Sequence, residues 1–143
     1  MDDPSWRERL EELSQDTDAH VRLQATAALV RRGNRNRLRE IERDAVSAED
    51  SRVRATAIQI LGELDAAEYA DLFRRALLLD RRWTTCSCCS PAPSATRALA
   101  RLGTPEAMTT LLQDYLTAGG GFCQPRELAE FVRRLDASYT LSD

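Results

Sequence analysis

Cysteine is the residue type in this 143-residue chain whose number and spacing could carry chemistry. Three of the four, Cys86, Cys88 and Cys89, fall in the run WTTCSCC (Trp83–Cys89), and the fourth is Cys123 in GGGFCQP. Four thiolates in a tetrahedral array suit Zn²⁺, and soft Cu(I) accepts fewer. C-x-C-C followed by a lone cysteine is not the doubled C-x-x-C of common zinc folds, and adjacent Cys88 and Cys89 project in different directions. Cys89 and Cys123 also stand just before Ser90-Pro91 and Gln124-Pro125, at expected helix starts. The positive end of a helix dipole lowers a thiol pKa, which would make either residue redox-active or reactive. The third reading is plain packing by small apolar side chains. Metal site, redox thiols and packing all stand open at this level.

Other constellations are thin. With a single histidine, His20, which lies far from the cysteines in sequence, no Ser-His-Asp arrangement is credible. TAGGGFCQP (Thr117–Pro125) has the glycines of a phosphate loop without the following Gly-Lys-Ser/Thr or a preceding strand. No catalytic residue is indicated. All 20 basic residues are arginine, a bias that GC-rich coding explains, and five of them crowd into Arg31–Arg39. Seven acidic residues lie in Met1–Asp18, so the charge is polarised from the start of the chain toward the turn that follows. That polarity could steer an acidic partner. The net charge of −3, the pI near 5.3 and the lack of aromatics among these arginines argue against nucleic acid. No apolar run approaches the roughly 20 residues of a membrane span, and the acidic start lacks the pattern of a secretory signal, so a cytoplasmic protein with reduced thiols is expected.

The elements that must position these residues follow from an internal repeat. DAHVRLQATAALVRRG (Asp18–Gly33) and DSRVRATAIQILGELD (Asp50–Asp65) share D-x-x-V-R-x-x-A at a spacing of 32 residues. ATRALARLG (Ala95–Gly103) matches the end of the first copy, and PRELAEFVRRL (Pro125–Leu135) is a fainter fourth. Each copy follows another amphipathic segment, within Pro4–Leu13, Asn36–Val46, Ala66–Leu79 and Thr104–Leu116. Apolar residues recur at three- and four-residue steps, as at Leu72, Ala76 and Leu79, which predicts helix, and no β-branched alternation is sustained. Asp18 and Asp50 suit N-caps, Gly33 and Gly103 suit helix ends, and Pro4, Pro105 and Pro125 suit first turns. Eight helices in four antiparallel pairs result, with units at roughly 4–33, 36–65, 66–103 and 104–137; the third carries the Cys-rich insertion.

The paired pattern D-x-x-V-R-x-x-A-x-x-A-L-x-x-x-G resembles HEAT-type repeats, including those of the PBS-lyase type. The resemblance implies an all-α fold, a short right-handed α-solenoid whose second helices line a concave binding face. It weakens in the third unit, where Cys88, Pro91 and Ala92 replace Asp, Val and Arg, and in the fourth. It also implies that Arg22 and Arg54 join a ladder between units, and that Val21, Ala25 and Ala28 permit close helix approach. HEAT-like enzymes offer little match: the hydroxylases' His-Glu pairs are missing, and the DNA glycosylases of this build are longer and basic. Bilin lyases leave little motif to compare.

The expected role is therefore a noncatalytic adaptor or regulatory scaffold for another protein. Arg22, Arg54 and Gln59 are its candidate groove or rim groups, and Trp83, in the insertion, is a candidate anchor. The competing reading is a metal- or redox-responsive module on Cys86, Cys88, Cys89 and Cys123. In repeat register Cys89 and Cys123 are equivalent and about one helix spacing, roughly 8–10 Å, apart. That exceeds disulfide reach unless their loops lean together. A third reading is a HEAT-like helper that handles a prosthetic group or modifies a partner protein. An incompletely capped stack also makes a homodimer an expectation.

Overall fold

The computed structural model describes residues 4–65, 67–80 and 90–118, and Arg133. Among the described residues there are helices and turns and no strand. In chain order the helices are α1 (Pro4–Leu13), α2 (Ala19–Arg31), α3 (Leu38–Ser47), α4 (Ser51–Asp65), α5 (Ala70–Leu78), α6 (Ala92–Leu102) and α7 (Pro105–Ala118). The first helices α1, α3 and α5 pair with α2, α4 and α6, while α4 packs side by side with α2 and α6 to make a layer of second helices.

Local chemistry sets most boundaries. Asp18 Oδ1 accepts from the backbone N–H groups of His20 at 2.8 Å and Val21 at 3.1 Å, satisfying donors that the first turn of α2 leaves without partners. Those two bonds favour the carboxylate and hold the Asp18 pKa below its ordinary value. Asp50 does the same for α4 through Arg52 N at 2.9 Å and also pairs with the Arg52 guanidinium at 3.1 Å. At the other end of α2, Gly33 takes φ 108° and Asn34 N reaches back to Leu29 O at 3.1 Å, closing the helix. Gly103 ends α6 at φ 62°, after which Thr104 Oγ1 accepts from Ala107 N at 3.2 Å to open α7. A Cβ at either glycine would meet the steric penalty of left-handed backbone.

Two starts differ from the sequence expectation. A 3-10 turn at Arg35–Arg37 precedes α3, and α5 begins at Ala70 rather than Ala66. Tyr69 explains the latter. Its ring is buried, its hydroxyl donates to the Glu42 carboxylate on α3, and its carbonyl accepts from Phe73 N at 3.0 Å. The expected fourth second helix, Pro125–Leu135, lies outside the described residues apart from Arg133.

The core runs through the stack as Leu23, Ile41, Ile58, Leu61, Phe73, Leu77 and Leu99, each virtually inaccessible to solvent. Burying such side chains contributes about 1.5–3 kcal/mol apiece. Small residues set the spacing of the second-helix layer. A Cβ built on Gly62 of α4 would stand 3.0 Å from the Ala98 Cβ of α6, so these helices approach only because Gly62 has no side chain. Ala25 is buried as the close-approach expectation requires. Val21 is exposed, while Val53, its counterpart one repeat later, is buried, because the second unit has neighbours on both sides.

Candidate interaction face

Arg22 and Arg54 occupy the same motif position with different fates. Arg54 is fully buried. Its Nε and one terminal nitrogen donate to Asp80 at 2.8 and 3.3 Å, and the other donates to Ala48 O at 2.6 Å and Glu49 O at 3.0 Å. Its side chain has 0% exposure and that of Asp80 7%. The expectation that Arg54 faces a partner is thereby corrected: the whole fork is consumed in tying α4 to the turn before it and to the end of α5. Arg22 makes the matching backward bond to Asp16 O at 3.2 Å, but its pair with Asp44 is long, 3.9 Å, and the side chain is 34% exposed.

The arginine-rich turn is likewise engaged by neighbouring units. Arg37 contacts Glu11 at 2.6 Å, Ser14 Oγ at 2.8 Å and Glu40 at 2.7 Å, and these acceptors, led by Glu40, raise its pKa further. One terminal nitrogen of Arg37 donates to Glu40 at 3.1 Å, while its Nε forms the 2.7 Å ion pair with the same carboxylate. Arg35 pairs with Asp65 at 3.0 Å and Arg31 with Glu63 at 3.4 Å, both on the surface, where such pairs contribute about 0–1 kcal/mol.

What remains outward on the layer of second helices is a row of polar groups. On α2 and α4, His20 Nδ1 and Thr56 Oγ1 lie 3.2 Å apart, and Gln59 Nε2 lies 3.4 Å from Glu63. Between α4 and α6 the surface drops into a cleft of about 100 Å³ lined by Gln59, Gly62, Ser94, Arg97, Ala98 and Arg101. Gly62 and Ala98, the pair that permits the close helix approach, form its floor, and Arg97 and Arg101, one turn apart on α6, form an exposed cationic wall. Gln59 thus lines the cleft, whereas Arg54, five residues earlier on α4, faces the opposite side about 140° away. Sequence reasoning missed Arg97 and Arg101. Their four-residue spacing in ATRALARLG was legible, yet only the packing of α6 on α4 makes them the wall of a cleft.

Trp83, Cys86, Cys88, Cys89 and Cys123 all lie outside the described residues. Among the described residues no group of three or more His, Cys, Asp or Glu side chains is arranged to hold a metal ion. None of the described helices is long and apolar enough to cross a membrane.

Comparison with protein families matches residues 6–85 to HEAT repeats. The chain belongs to the HEAT-repeat family. The matched span runs from Trp6, within α1, past the end of α5, and includes both complete copies of the D-x-x-V-R-x-x-A motif and the buried Arg54–Asp80 pair. HEAT repeats commonly serve as helical scaffolds in protein–protein interaction, and the family is in general noncatalytic. No curated protein and no solved structure matches the chain.

Proposed function

We propose that this HEAT-repeat chain is a noncatalytic adaptor that receives a segment of another protein across α4 and α6. The observation that carries the reading is the cleft over Gly62 and Ala98, with Gln59 on one side and Arg97 and Arg101 on the other. A narrow floor of small residues lets a partner approach closely, Gln59 can donate to or accept from its backbone, and two guanidinium groups one turn apart favour carboxylates. The preferred partner is thus an acidic segment, drawn by local charge although the chain as a whole is acidic. Among the described residues no acid–base or nucleophilic constellation lies on this face.

Site-specific photo-crosslinking tests it. A photoreactive residue at Gln59 should capture a partner protein from cell extract, and Arg101→Glu should abolish the capture. The same group at Arg43, exposed on α3, should capture nothing in common with it. Equal capture from both positions, or indifference to Arg101→Glu, would remove the cleft from the reading.

A further inference from the structure

Threonine hydroxyls on the helices of this chain are spent locally. Those of Thr26, Thr56, Thr96, Thr109 and Thr110 each donate to the carbonyl four residues back, at 2.8 to 3.0 Å. Ser94 differs. It stands in the first turn of α6, where the residue four back, Ser90, precedes the helix. It lines the α4–α6 cleft, and among the described residues its hydroxyl has no hydrogen-bond partner.

Ser94, Arg97 and Arg101 follow one another at three- and four-residue steps, so they share one stripe of α6. That helix contains no Asp or Glu. Arg31, Arg35, Arg37, Arg52, Arg54 and Arg75 each meet a carboxylate, whereas Arg101 has no ion-pair partner among the described residues. Across the cleft Gln59 offers its side-chain amide. Glu63, one turn beyond Gln59 on α4, is engaged by Arg31 and by Gln59 Nε2, each at 3.4 Å, which lessens its opposition to an incoming anion.

The cleft thus sets two permanently charged guanidinium groups, an uncommitted hydroxyl and an amide around the floor of Gly62 and Ala98. A carboxylate brings one charge and two oxygens to them. A phosphorylated side chain brings a charge of about −1.5 to −2 near neutral pH and three strong acceptor oxygens, enough to meet both arginines and the Ser94 hydroxyl together. Size points the same way. At about 100 Å³ the cleft is well below the roughly 300–1,000 Å³ of sites that enclose a whole small molecule, so it admits a compact group on a short stem rather than a nucleotide. No aromatic side chain lines it to stack a base.

We propose that the cleft receives the phosphoryl group of a phosphoserine or phosphothreonine on the partner segment, gripped by Arg97 and Arg101 and bonded by the Ser94 hydroxyl. The proposal rests on the adaptor reading and adds a condition to it: the partner docks in its phosphorylated form.

Amide NMR titration of the isotopically labelled full chain tests it, with three probes: capped Gly-phosphoserine-Gly, capped Gly-Glu-Gly and inorganic phosphate. The phosphoserine peptide should shift the Gly62, Ser94 and Ala98 amides at a concentration at least about tenfold lower than the glutamate peptide. Ser94→Ala should narrow that preference. Arg101→Glu, at an exposed position, should abolish binding of both peptides while the circular dichroism stays unchanged. Phosphoserine binding no tighter than glutamate binding overturns the inference and leaves the adaptor reading standing. A preference indifferent to Ser94→Ala or to Arg101→Glu also overturns it. So does tighter binding of inorganic phosphate than of the phosphopeptide, which would assign the cleft to a free anion. If neither peptide shifts these amides the inference fails, and capture from Gln59 decides the adaptor reading separately.

Discussion

Replacing Asp80 by alanine leaves the Arg54 guanidinium charged, wholly buried and without the carboxylate that two of its nitrogens meet, while its bonds to the Ala48 and Glu49 carbonyls remain. Removing one partner from a buried ion pair costs about 3–5 kcal/mol, against total stabilities of roughly 5–15 kcal/mol for domains of this size. The matched control is Glu63→Ala, which breaks the Arg31–Glu63 pair. Those side chains are 47% and 36% exposed, so the expected loss is only about 0.2–1 kcal/mol. Urea unfolding followed by circular dichroism reads the difference. With a slope near 2 kcal/mol/M, Asp80→Ala should lower the midpoint by on the order of 2 M and Glu63→Ala by less than about 0.5 M. The double change Arg54→Met/Asp80→Leu removes both charges and should recover part of the loss, the remainder reflecting the two carbonyls left without a donor. If Asp80→Ala cost no more than Glu63→Ala, the ladder would be no more than a surface contact, and the assignment of Arg54 to the core would be wrong.

Four further outcomes follow from the same geometry. Gly62→Ala, which in an isolated helix would stabilise by up to about 1 kcal/mol, should destabilise here, because overpacking against Ala98 costs about 1–3 kcal/mol; adding Ala98→Gly should relieve it in thermal unfolding. Burial and the bond to Glu42 raise the Tyr69 pKa above its ordinary value of 10.0, so its contribution is complete below that pH and fades as pH rises beyond it. Tyr69→Phe should remove that alkaline loss from a pH series of denaturation midpoints, at a cost of about 1–2 kcal/mol near neutrality. The Asp18 and Asp50 carboxyls are held below their ordinary 3.8, so their stabilisation is present above the usual carboxylate range and is lost as pH falls through and below it. Asp18→Asn/Asp50→Asn should flatten the acid limb of the same series. For the cysteines, the adaptor reading expects native mass spectrometry without reductant or chelator to give the apo mass with four free thiols. An added metal mass that Cys→Ser substitution abolishes would instead support a metal-responsive module.

Recognition of the repeat required no tertiary information, because its signals act over a few residues. Asp18 and Asp50 cap through N–H groups two and three residues on, Gly33 and Gly103 take backbone that side chains disfavour, and apolar residues at helical steps declare which stripe is buried. These interactions are encoded within one turn, so α2 and α4 could be placed from composition and spacing alone. What the motif could not say is which of its arginines remains available. Arg22 and Arg54 occupy the same position of the D-x-x-V-R-x-x-A motif, and their difference comes from the length of the pair each makes with a distant carboxylate, Asp44 or Asp80, and from the packing around it. The late start of α5 came from Glu42, also a unit away, and the cleft wall of Arg97 and Arg101 exists only because Gly62 admits Ala98 to close contact. The sequence by itself determined the helices and their family, since hydrogen bonds and periodicity are local. Tertiary structure decided which side chains are spent and which face outward, since that depends on groups some 22 to 36 residues away in the chain.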